Sequence, residues 1–148
     1  MENLASAYEK DFYLWICRNV DLLRQGRVTE IDAENIMEEL DAMGKNQHRE
    51  LVSRLKILFA HLLKWQFEPD YRSKNWKRTI LEQRQQITQL LETSPSLKHQ
   101  MDEKMKKAYT NAVKYAALET GIPVSDFPGI CPYSLDEALD ENFYPEEE

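Results

Sequence analysis

The stretch LVSRLKILFAHLLKW, residues 51–65, decides the fold. Its Leu51, Leu55, Leu58, Phe59 and Leu62 recur at the three- and four-residue spacing of a helical stripe, and Val52, Ile57, Ala60 and Leu63 add apolar character on the other sides. A helix apolar nearly all round must be covered by other helices. Residues 51–65 are therefore expected to form the central post of an all-α, single-domain bundle of five or six helices taking in residues 1–148. Arg54, Lys56, His61 and Lys64 interrupt the stretch, and a bilayer-spanning helix needs about 18 or more apolar residues, so no membrane association is expected.

Upstream, the pattern predicts a helix over residues 6–25 with Tyr8, Phe12, Trp15, Ile16, Val20 and Leu23 on a buried face and Gly26 as its left-handed stop. Asp32 is the N-cap expected for a helix bearing Ala33, Ile36, Met37, Leu40 and Met43. The apolar pattern resumes soon after Gly44, so residues 33–65 read either as two helices or as one kinked helix, with a break or bend at Gly44 favoured. Downstream, Pro69 ends the central helix, Ser73 caps a helix over residues 74–92, and Ser96 caps a further helix that Gly121 and Pro123 stop. Residues 121–134 hold three of the six prolines and two of the four glycines, and read as a loop packed through Ile122, Phe127, Ile130 and Tyr133. Ser134 and Glu137 form a capping box for a short last helix, and the acidic tail 145–148 is expected to fray.

At 148 residues one core is within reach without disulfides or structural metal. Two distant cysteines, Cys17 and Cys131, fit a reducing cytoplasm, and the N-terminus MENLASAYEKDFYLW lacks the pattern of a secretory signal. The net charge of −7 is unevenly spread. Residues 1–44 carry 4 basic against 10 acidic side chains, residues 45–84 carry 10 against 4, and residues 85–148 carry 5 against 12. Complementarity among packed helices and solvated faces accounts for this, with an interaction surface as the alternative.

The ordered set EELDAMG (38–44), HLLKWQFEPDYRSKNWKRTILEQR (61–84), SPSL (94–97), ETG (119–121) and FPGICPYSLDEALDENF (127–143), with the opening YEKDFYLW (8–15), resembles the bacterial family called domain of unknown function 29, common in cyanobacteria. The resemblance covers essentially the whole chain. It implies an all-helical fold and no assigned activity, so it brings no catalytic residues with it.

The polar residues in or beside apolar faces are Glu38, Glu39, His61, Lys64, Trp65, Arg72, Trp76 and Arg84. Glu38, Glu39 and His61 are the candidates for a bundle metal site, although the Glu-x-x-His pairs of such sites are missing. His61 reads more readily as a structural group in a hydrogen-bonded network with Glu39 and Arg84. There is no GxSxG elbow and no phosphate-cradling glycine loop, so no catalytic or cofactor-binding residue is assigned.

The segment RSKNWKRTILEQR, residues 72–84, sets Arg72, Lys74, Lys77 and Arg78 around Trp76 and is the candidate interaction surface. The leading expectation is a small non-enzymatic protein-interaction domain with an unidentified protein partner. The alternatives are a nucleic-acid-associated or antitoxin-like regulator using the same segment, against which the acidic whole repels polyanions, and a metal-dependent enzyme. Surplus apolar residues are also compatible with a homodimer.

Overall fold

The computed structural model describes residues 3–146. It is an all-α domain of six helices, with no strand among the described residues, as the helical periodicity and the resemblance both imply. The contacts assort into two compact units, one up to Asn46 and one from Gln47.

In the first unit, α1 (Leu4–Lys10) and α2 (Phe12–Arg24) stand where a single helix was expected. Asp11 divides them. Its backbone leaves the helical region at φ −152°, and its carboxylate accepts from Leu14 N at 3.1 Å, capping α2. A short acidic side chain competes for backbone amides and so favours a cap over a helix interior. Gly26 takes φ +73° as expected of a left-handed stop.

Only Trp15 of the expected buried stripe is fully enclosed; Phe12, Ile16 and Leu23 are exposed. Trp15 Nε1 donates to Asp32 Oδ2 at 3.0 Å, Asn19 Nδ2 donates to Trp15 O at 2.8 Å, and Asp32 N donates to Asn19 Oδ1 at 2.9 Å. The other Asp32 oxygen accepts from Asn35 N at 3.4 Å, the cap foreseen for the next helix. Burial works to raise the Asp32 carboxyl, but the bonds from Asn35 and Trp15 outweigh it and hold it below its usual range.

Helix α3 (Ala33–Phe67) runs through Gly44 without the expected break. One helical glycine costs about 1 kcal/mol relative to alanine, which good helix formers on either side and a long buried continuation outweigh. Lys45 and Asp41, four apart at 3.0 Å, reinforce the turn around it. Residues 40–50 are exposed throughout, and the apolar Met37, Leu40 and Met43 are 64%, 62% and 61% exposed.

From Gln47 onward the centre is the one the sequence implied. Leu51, Leu55, Leu58, Phe59, Leu62 and Leu63 are all completely buried. Helix α4 (Lys74–Thr93) contributes Ile80, Ile87, Leu90 and Leu91 to the same core, and its Ser73 cap accepts from Trp76 N at 3.2 Å. Helix α5 (Met101–Thr120) adds Ala108, Tyr109, Ala112, Val113 and Ala116. Ser96 does not cap it. Residues Pro95–Lys98 form a separate 3-10 turn with Leu97 buried, and Gln100, at φ +54°, redirects the chain into α5. Gly121 closes α5 at φ +77°, donating to Ala117 O at 2.9 Å.

The following loop is packed as expected at Phe127 and Tyr133, but Ile130 is 86% exposed. Tyr109 Oη donates to Pro128 O at 2.6 Å and Tyr133 Oη to Gln66 Oε1 at 2.8 Å, tying the loop to α5 and α3. The Ser134–Glu137 capping box is present and opens α6 (Leu135–Leu139). In the tail expected to fray, Pro145 is buried, whereas residues 147–148 lie outside the described residues.

Candidate functional site

Because Ser73 fixes where α4 starts, Lys74, Lys77, Arg78 and Leu81 recur at i, i+3, i+4 and i+7 and share one face. Ile80, Ile87 and Leu91 take the opposite, buried side. All four members of the outer face are exposed, and Leu81, 41% exposed, sets an apolar side chain among the cations. Among the described residues no carboxylate pairs with Lys74, Lys77 or Arg78; the ion pairs formed are Arg27–Glu30, Lys45–Asp41, Arg54–Glu50 and Lys64–Glu119.

An aromatic pair borders this face. Trp65 and Tyr144 have ring centroids 4.8 Å apart, and Lys77 Nζ lies 5.9 Å from the first ring and 5.5 Å from the second. Arg72 is committed inward rather than outward: its Nε donates to Trp65 O at 2.8 Å and its guanidinium stacks 4.9 Å from the Trp65 centroid. Cations over ring faces gain electrostatic attraction while keeping their charge available to a partner.

The expected network of Glu39, His61 and Arg84 does not form. Glu39 accepts from the Tyr8 hydroxyl, and that bond pushes the phenol up to about 12. His61 lies six turns further along the same helix, where Nδ1 donates to Ile57 O at 2.8 Å. Arg84, 1% exposed, is held elsewhere: Nε donates to Ala138 O at 2.7 Å and Nη2 to Phe143 O at 2.6 Å. Burial draws its pKa down, against Tyr144, Asp140 and Glu141, which favour the charge. The same spacing along α3 separates Glu38 and Glu39 from His61, and no group of three such side chains is placed to hold a metal among the described residues. The metal-site candidates are thus not brought together.

Burial also lowers the His61 pKa, more than its bond to Ile57 O raises it, with Lys64 opposing and Glu119 favouring the proton. An unfolded histidine, with pKa near 6.5, then binds protons more readily than the folded one. Stability is therefore full above about pH 6.5 and falls as pH drops towards the folded value. Melting temperature should decline between about pH 7.5 and about pH 5.5, and His61→Leu should flatten that decline; an unchanged slope in the variant would assign it to other groups.

Sequence reasoning missed a second constellation. Lys64 Nζ, its side chain only 5% exposed, lies 3.3 Å from Glu119 Oε1 and 5.1 Å from the Trp76 centroid. With Glu68, Tyr71 and Thr120 these residues line a cavity of about 310 Å3. Burial tends to raise the Glu119 carboxyl, but Tyr115 and Lys64 outweigh it and hold it below its ordinary value. The only signal was Lys64 itself, one of several polar residues interrupting the apolar stretch; its partner stands 55 residues away. Trp76 is consequently engaged with Lys64 rather than interleaved with the cations of α4.

No helix among the described residues is long and apolar enough to cross a membrane. No curated protein and no solved structure matches the chain. A family model described as Domain of unknown function DUF29 matches residues 7–144. With α2 to α6 and the loop before α6 all inside that span, the chain belongs to the DUF29 family.

Proposed function

We propose that the chain is a small, non-enzymatic protein-interaction domain whose partner presents an acidic surface to the outer face of α4. The observation that carries the reading is that Lys74, Lys77 and Arg78 are exposed, share a face with Leu81, and have no carboxylate partner among the described residues. Such a face combines charge, which steers and orients a partner, with an apolar anchor that holds it. The chain's net charge of −7 disfavours a nucleic-acid polyanion at the same place. The free thiols Cys17 and Cys131 support a reducing, cytoplasmic setting.

Gentle purification of the tagged chain from its native host, with nuclease and chelator present, tests this. A protein recovered reproducibly in near-equal amount, and lost from Lys74→Glu/Lys77→Glu/Arg78→Glu, is the expected result. Recovery of the chain alone, or of companions that vanish with nuclease, overturns the reading.

A further inference from the structure

The first unit carries a surface of opposite character. Met37, Leu40 and Met43 follow one another at three-residue steps along α3 and are all more than three-fifths exposed, with Ile36 half-buried beside them. Next to this row run Glu34, Glu38 and Asp41 at i, i+4 and i+7. Asp41 is paired with Lys45 at 3.0 Å, whereas Glu34 and Glu38 are exposed and have no ion-pair partner among the described residues. An apolar row in water lowers its free energy when covered, and two like charges four apart on a helix repel unless a cation comes between them. Both demands are met by one kind of occupant.

We infer that the face of α3 formed by Met37, Leu40 and Met43, edged by Glu34 and Glu38, docks a basic amphipathic helix of a partner protein. The partner's apolar stripe covers the two methionines and Leu40, and its lysines or arginines meet the carboxylates. Methionine suits such a face, because its unbranched, polarisable side chain repacks around different apolar surfaces. A second copy would bring to this face the same acidic edge, on which the one cation, Lys45, is already paired with Asp41, so it supplies no free cation for Glu34 and Glu38. This surface does not depend on the reading of α4: it lies in the other unit, and variants of one leave the other untouched.

The test uses the full chain and two fluorescently labelled synthetic helices, one with a leucine stripe and lysines elsewhere, the other with glutamates in place of the lysines. Anisotropy should show binding of the lysine peptide only. Leu40→Ser/Met43→Ser and, separately, Glu34→Gln/Glu38→Gln should each weaken it by about tenfold or more, the range for loss of interface anchors. Melting should be unchanged in both, since these side chains are exposed. Equal binding of the glutamate peptide, or affinity for the lysine peptide that neither double variant alters, overturns the proposal. So does a dimer in sedimentation equilibrium that Leu40→Ser/Met43→Ser dissociates, which would assign the face to a second copy.

Discussion

Replacing Arg84 with alanine is expected to remove about 3–5 kcal/mol of stability from the unit that begins at Gln47, measured by urea unfolding followed through tryptophan fluorescence. The arginine is 1% exposed and gives one hydrogen bond to Ala138 O, in α6, and another to Phe143 O, beyond it. Charge-assisted bonds contribute about 1.5–3 kcal/mol each, and alanine leaves the buried Ala138 carbonyl and the part-buried Phe143 carbonyl without these bonds and the space of the side chain empty. Arg84→Lys should recover only part of the loss, because a single ammonium on a shorter stem does not reproduce the planar fork that reaches both carbonyls. The guanidinium also stacks 5.4 Å from the Tyr144 centroid, and Tyr144 shares the border of the α4 face with Trp65. Arg84 thus supports the aromatic pair that borders the outer face of α4. A stability loss below about 1 kcal/mol, the ordinary range for surface substitutions, would show that the C-terminal segment is held by other contacts.

Phe59→Ala is expected to cost a similar amount, about 3–5 kcal/mol, by emptying the centre of the core. Phe59 is completely buried on α3, and its ring lies 6.3 Å from Tyr109 of α5 and 6.3 Å from Tyr133 of the final loop. One side chain therefore links three elements far apart in sequence. Phe59→Leu keeps most of the apolar volume and should lose clearly less. Equal losses in the two variants would mean that the site collapses around either side chain and that ring geometry contributes nothing.

How far the sequence reached can be argued from these same elements. Residues 51–65 announced a buried helix because apolar residues stand on nearly every side, and Leu51, Leu55, Leu58, Phe59, Ala60, Leu62 and Leu63 are indeed in the core. Ser73 and the Ser134–Glu137 box announced helix starts because capping is local chemistry between neighbours. Asp11 and Gly44 were misread for one reason. A residue that can either cap or sit inside a helix, or that can either break or be tolerated in one, is decided by packing not visible locally. The apolar row Met37, Leu40 and Met43 was read as part of a helix, and the structure leaves it exposed. Periodicity says that side chains share a face, not what meets that face.

The candidate site divides along the same line. Arg72, Lys74, Lys77 and Arg78 were singled out as candidates by composition; the helix sets Lys74, Lys77 and Arg78 on one exposed face, whereas Arg72 bonds Trp65 O. The Lys64–Glu119 pair and the seat of Arg84 on Ala138 O and Phe143 O depend on chain segments 54 to 59 residues away, and no spacing rule reports such contacts. Trp76 illustrates both outcomes, lying in the basic segment by sequence yet meeting Lys64 rather than the cations beside it.

The most direct measurement is site-specific photo-crosslinking in the native host. A photoreactive phenylalanine analogue at Leu81, beside the cations of the outer face, is compared with the same group at Glu92, exposed about three turns away at the far end of α4. The account predicts a single protein crosslinked from position 81 and not from position 92, and lost when Lys77 and Arg78 are changed to glutamate. No adduct from position 81, an adduct to nucleic acid, or equal capture from both positions would contradict it.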